Sequence, residues 1–449
     1  MSTATSRMVG ARVKRREDPR LITGQGRYVD DVALPGMLHV SFLRSPYAHA
    51  RIRAVNATAA RSHPGVVAVF TGADLAGNVN GVPCGWSLPD LKAVPHPAIA
   101  VDRVRFTGDI VAAVVAEDRA TARDARDLVQ VDYEPLPVVT DLEAATAPGA
   151  AQLHVEAPEN IAFRWTLAGG DAARAISEAP VVVRQRIVNQ RLIPNAMEPR
   201  GVAAQWDSGT GELTLWSSTQ IPHLLRLLLA LTNNLEEQKV RVIAPDVGGG
   251  FGSKLYLYAE EVALAYMARQ VRRPLKWIET RQENYVATTH GRDHVQDVEL
   301  AATRDGVITG LRVRTLANVG AYLSTFAPGI PTVLFGVMLS GAYRIPNISC
   351  EVIGVFTNTT PVDAYRGAGR PEAIYLVERM VDLLADELHL DPAEIRRKNF
   401  IPPSAFPYTT ATGVIYDSGN YAPALDLALE RAGYASLRRA QEQARAQGR

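Results

Sequence analysis

The stretch Asp-Val-Gly-Gly-Gly-Phe-Gly-Ser-Lys, DVGGGFGSK (246–254), decides how the chain is read. Strand-like KVRVIAP (239–245) precedes it and an apolar run follows, so it joins a strand to a helix. Such a loop aims free backbone N–H groups at whatever lies above the helix start, and an anion suits that place. Yet neither standard phosphate pattern is met. A phosphate-binding Walker loop ends in Gly-Lys-Ser/Thr, whereas here Ser253 precedes Lys254 and Leu255 follows. A dinucleotide fingerprint counted from Gly248 needs glycine where Ser253 stands. A tight turn alone would explain one or two glycines. Four glycines around the bulky Phe251 favour close approach of a ligand to the backbone.

The arrangement recurs twice. GELTLWSST (211–219) is followed by Gln220-Ile221-Pro222 and a helix over 223–232, with Pro222 suited to the first turn. CEVIGVFTN (350–358) is followed by TTPVDAYRGAGR and a helix opening at Pro371. Its apolar stripe is Ile374, Val377, Val381, Leu384 and Leu388. The helix after the glycine loop is expected from Lys254 to Gln270. It is apolar nearly all round except at Glu260 and Glu261, hence buried. Ligands usually sit where strand carboxyl ends meet helix amino ends. Arg366 and Arg370 oppose the helix dipole unless something anionic is near; the alternative is a salt bridge to Glu372 or Asp363. By itself, Gln220 reads as a polar strand-end residue. In NAMEPRG (195–201), Glu198 and Arg200 read as an internal ion pair.

The rest of the chain bounds these readings. Its 449 residues, 47% hydrophobic and 21% charged, have globular composition, and a net charge of +1 asks for neither nucleic acid nor an anionic membrane. Two cysteines, Cys84 and Cys350, exclude a disulfide framework and a Cys-ligated iron–sulfur cluster, and read as buried small hydrophobes. No histidine pair has metal-ligand spacing. No secretory signal or membrane span is visible, which reads as a soluble, cytoplasmic chain. The expected organisation is a flexible stretch over 1–20, a mixed α/β domain over 21–139, a linker over 140–160, a second region over 161–398 and a further piece over 399–449.

Together, STQ (218–220), GGGFGSK and AYRGAGRPEA (364–373) resemble, in order and separation, the molybdenum-cofactor subunit of the xanthine dehydrogenase, aldehyde oxidase and aerobic carbon monoxide dehydrogenase family. RREDPRLITGQGRYVDDVALPGMLHVSFLRSPYAHARI near the amino terminus and AMEPRG look like that family too. The resemblance runs from about residue 8 to the end. It implies an α+β fold: an α/β hammerhead-like domain, a first molybdopterin-binding domain and the start of a second. It also implies a molybdopterin, commonly the cytosine dinucleotide in bacteria. The metal would be held by the pterin's dithiolene, with no protein ligand. Gln220 would hydrogen-bond the apical oxo ligand. Gly249, Gly250, Phe251 and Gly252 would bring backbone amides to that group, with Phe251 bordering the substrate. Arg366, Gly367 and Ala368 would flank metal and pterin. The implied reaction is hydroxylation of an aldehyde or N-heterocycle carbon, with oxygen from water. Electrons would leave through separate 2Fe–2S and FAD subunits, in a dimer of heterotrimers.

The chain departs from the family pattern at two points. Carbon monoxide dehydrogenases carry a copper-binding cysteine in the active-site loop. Gly367 stands at that position here, and copper(I) prefers thiolate, so no copper is expected. The family subunit is also much longer, and its general-base glutamate lies in a Gly-Glu motif near its end that this chain lacks. No residue here is assigned as catalytic. The expectation is a subunit split over two polypeptides, the second carrying the carboxyl-terminal half, or a truncated, non-catalytic cofactor-binding or scaffold remnant.

Overall fold

A computed structural model of the chain describes residues 10–449. Part of the stretch expected to be flexible, residues 1–9, lies outside the described residues. The fold is a mixed α/β arrangement built around two sheets. The larger has seven strands in the order Val240–Ile243, Glu212–Ser217, Gly201–Asp207, Leu275–Ile278, Leu38–Arg44, Ile110–Ala116 and Val66–Thr71. Its three strands from residues 38–116 join four from 201–278, so the sheet runs across both sides of segment 140–160. The contact is strand on strand: Leu38 and His39 pair in parallel with Leu275 and Lys276. Ile110–Ala116 (IVAAVVA) is buried at every position, as expected of a β-branched run covered on both faces. Helices Pro222–Thr232 and Ala259–Val271 pack on this sheet, with Leu225, Leu229, Val262 and Met267 in the shared core.

The second sheet has five strands in the order Ile161–Gly169, Ile348–Phe356, Ile308–Gly320, His294–Ala302 and Val181–Asn189. Alternation along the strands puts Val298, Leu300, Leu311 and Val313 in a core with helix Arg370–Leu388. Segment 140–160 does more than link: Leu142, Ala145, Leu153 and Ala157 are buried. No helix among the described residues is long and apolar enough to cross a membrane.

Two helices differ from expectation. The one after the glycine loop begins at Ala259, not Lys254. Residues 253–258 are drawn into tertiary bonds instead. The Tyr256 hydroxyl donates to the Ala364 carbonyl at 2.7 Å, and the Leu257 N–H donates to Thr325 Oγ1 at 3.2 Å. Tyr258 then caps the helix, its N–H bonded to the Glu261 carboxylate at 3.0 Å. In the helix Arg370–Leu388, Ile374 is 38% exposed, and the buried stripe is Ala373, Leu376, Val377, Met380, Val381 and Leu384. Periodicity located this face but placed its first member one position late.

Candidate functional site

Strands Glu212–Ser217 and Val240–Ile243 are parallel neighbours in the large sheet. Strand Ile348–Phe356 belongs to the other sheet. The three loops that follow them nevertheless meet. The Gln220 N–H donates to the Lys254 carbonyl at 2.7 Å, and Gln220 Oε1 accepts from the Gly252 N–H at 3.0 Å. The Arg366 N–H donates to the Phe251 carbonyl at 2.8 Å. So Gln220, Gly249 to Gly252 and Arg366 to Ala368 form one cluster.

Its backbone explains the glycines. Phe251 and Ala368 lie in the left-handed region at φ 54 and 46, uncommon for residues with a Cβ, and Gly249 and Gly252 are at φ 98 and 103. A Cβ on Gly250 would stand 2.3 Å from Gln220 Oε1, and one on Gly252 would stand 2.3 Å from the Ala364 carbonyl oxygen. The loops touch through positions where no side chain fits. On the outside the cluster is open: Phe251 is 44% exposed, and Gln220, Arg366 and Gly367 are exposed. Glu372 and Asp363, the two acids weighed as partners for the arginines, are engaged elsewhere. Glu372 pairs with Arg292 at 3.1 Å. Asp363 accepts backbone N–H groups from Phe326 at 2.9 Å and Ala364 at 2.7 Å. Burial pushes the Asp363 carboxyl up to about 7. Arg366 and Arg370 make no ion pair among the described residues. The cluster therefore offers an anionic group two cations, a glutamine amide whose oxygen is already used, and glycine backbone without Cβ cover. A molybdopterin carries such anionic groups, and these residues fit it.

The expected Glu198–Arg200 pair is not formed. Glu198 pairs with Lys254 at 2.9 Å. Arg200 turns the other way and bonds Glu260 and Glu279, all three being 5% exposed or less, with the Tyr258 ring 3.7 Å from its guanidinium carbon. Pro199 stands between the two, and the chain bends at Met197–Glu198 before the strand that opens at Gly201, so the side chains part. These partners were missed because they lie 56 to 79 residues away in sequence. The one available signal was Lys254 between apolar segments, since a buried lysine needs a partner. Arg20, placed in the stretch expected to be flexible, grips Asp246 with both guanidinium nitrogens, at 2.5 and 2.6 Å. That bond holds the Asp246 carboxyl down at about 2. Cys350 is buried, as expected, whereas Cys84 is only half-buried; neither lies on the three loops.

Residues 153–400, more than half of the chain, match the family described as "Molybdopterin cofactor-binding domain". The chain belongs to that molybdopterin cofactor-binding family. Residues 23–137 of this molybdopterin-binding chain also match "Aldehyde oxidase and xanthine dehydrogenase, a/b hammerhead domain". It is 41% identical to the carbon monoxide dehydrogenase large chain of Hydrogenophaga pseudoflava, covering 96% of this chain and 55% of that protein. It is 36% identical to the nicotine 6-hydroxylase large subunit of Paenarthrobacter nicotinovorans, over 99% of this chain and 54% of that one. The crystal structure of quinoline 2-oxidoreductase from Pseudomonas putida 86 superposes with a TM-score of 0.93 at 38% identity, covering 97% of this chain and 56% of that one. The chain thus spans about half the length of the relatives it matches.

Proposed function

We propose that the chain forms the amino-terminal part of a molybdenum hydroxylase subunit that oxidises an aldehyde or N-heterocycle with water as the oxygen source. The observation that carries this is the meeting of Gln220, Phe251, Gly252, Lys254 and Arg366 through three hydrogen bonds, leaving two cations without an ion pair among the described residues and an open aromatic beside glycine backbone. With Oε1 engaged by Gly252, Gln220 has its Nε2–H groups left to donate to an oxygen of the cofactor. Gly250 and Gly252 let the loop close onto Gln220 and Ala364, and Gly249 makes room for the Phe251 ring. Arg366 faces the anionic groups, with Gly367 and Ala368 shaping its turn. Phe251 forms an apolar wall for a flat or hydrophobic substrate. When bound, the molybdenum cofactor, here the cytosine dinucleotide form, supplies transfer of oxygen from water and storage of two electrons. Copper has no place, because residue 367 is glycine and the three loops hold no thiolate.

The same proposal includes separate 2Fe–2S and FAD subunits, in a cytoplasmic dimer of heterotrimers, and a base supplied outside these residues. The matched spans support domains over 21–139 and 161–398. Molybdenum and oxidised-pterin fluorescence per chain, measured with Gln220→Ala beside the wild type, test the proposal. The wild type should carry both, and Gln220→Ala should keep most of its cofactor while losing most turnover in the assembled enzyme. Absence of both groups from the wild type would overturn the assignment.

A further inference from the structure

Beneath the glycine loop, one carboxylate oxygen is shared by three donors. Glu198 Oε2 accepts from the Gly248 N–H at 2.7 Å, from Ser218 Oγ at 2.7 Å and from Lys254 Nζ at 2.9 Å. Lys254 Nζ donates a second bond, to the Glu198 carbonyl at 2.8 Å, and the Glu198 N–H returns a bond to the Gly248 carbonyl at 3.1 Å. The Lys254 side chain is 1% exposed and that of Glu198 17%. Burial pulls the ammonium below its ordinary value, partly countered by Glu198.

The topology of these bonds matters more than their number. Gly248 opens the glycine run, and Lys254 lies just past its end. Ser218 stands two residues before Gln220. The Lys254 carbonyl in turn accepts the Gln220 N–H at 2.7 Å. A single anion therefore ties both ends of one loop and the root of another. A small cavity lies beside this cluster, lined by Ser218, Thr219 and Lys254 together with Val202, Tyr258 and Trp277.

We propose that Glu198 and Lys254 are positioning residues, a buried clamp that sets the height of Gln220 and of the Gly248–Gly252 amides. Its effect on a bound cofactor rests on the function proposed above; its effect on the loop does not. The test is amide exchange by mass spectrometry on the full chain as purified, with Glu198→Ala, Glu198→Gln and Lys254→Met. Opening of segment 246–254 should be about tenfold or more faster in Glu198→Ala, since charge-assisted bonds are lost there. Segment 259–271 should exchange as in the wild type. Glu198→Gln, which keeps an acceptor for Gly248 and Ser218, should recover part of the protection. In cofactor-loaded protein, Glu198→Gln should alter the molybdenum EPR signature while the metal content per chain stays near that of the wild type. Unchanged exchange at 246–254, or an equal rise in both segments, overturns the clamp. A wild type without molybdenum or pterin overturns the functional assignment instead, and leaves the exchange comparison to decide the clamp.

Discussion

Replacing Arg200 by alanine should be among the most destabilising single changes in this chain. Its guanidinium donates to both Glu260 oxygens at 3.0 Å and to Glu279 Oε1 at 2.7 and 3.0 Å, in a setting where all three side chains are 5% exposed or less. After its removal Glu260 keeps Arg44, at 2.8 Å, while Glu279 keeps only the neutral donors Asn284 and Thr288 and its Arg200 backbone N–H. Breaking a buried pair from one side costs about 3–5 kcal/mol, because an uncompensated charge remains. An unfolding entropy of about 2.1 cal/mol/K per residue over 449 residues amounts to roughly 0.9 kcal/mol/K, so the melting temperature should fall by ~3–5 °C in a single cooperative transition. The double variant Arg200→Met/Glu279→Gln should recover part of this, since it removes the stranded charge as well. Differential scanning calorimetry reads both. A fall of less than about 1 °C in Arg200→Ala, or no recovery in the double variant, would refute the idea that charge compensation rather than packing holds this region.

Two further outcomes follow from the same geometry. Burial pushes Glu261 up to about 7 from 4.5 and Asp109 up to about 7 from 3.8. At these two carboxyls the folded chain holds protons that the unfolded chain releases, so their contribution to stability declines as pH rises from about 4 to about 7, while the buried imidazoles His96, His154, His290 and His294, held low by burial, contribute with the opposite sign. Glu261→Gln should remove the Glu261 share and shift the dependence of stability on pH toward higher stability at the upper end of that range in thermal melts; an identical dependence would show that Glu261 does not hold its proton. Gly252→Ala should unseat the Arg366 loop, because φ 103 is strained for alanine and its Cβ would stand 2.3 Å from the Ala364 carbonyl. Limited proteolysis should then cut within 246–254 or 364–370 faster than in the wild type, and equal rates would mean that the loops do not depend on this contact.

Motifs that are contiguous, and positions fixed by periodicity, were legible in the sequence. The run DVGGGFGSK, the strand ends before Gln220 and Arg366, the continuous apolar strand Ile110–Ala116 and the family resemblance all follow from neighbours along the chain. So did the excess of glycine, whose cause the structure makes specific: Gly250 and Gly252 face Gln220 Oε1 and the Ala364 carbonyl with no space for a Cβ. Only the tertiary structure decided what those loops touch. Two of them leave one sheet and the third leaves the other, and no local pattern encodes that they meet. Sequence proximity suggested Glu198 with Arg200, yet a bend before Pro199 sends one to Lys254 and the other to Glu260 and Glu279. Helical periodicity likewise ran on through 254–258, where bonds from Tyr256 to Ala364 and from Leu257 to Thr325 hold the backbone out of a helix. A hydrogen bond to a partner about a hundred residues away outweighs local propensity there, because the helix nucleus gains little from its first turn and a buried backbone group cannot go unpaired.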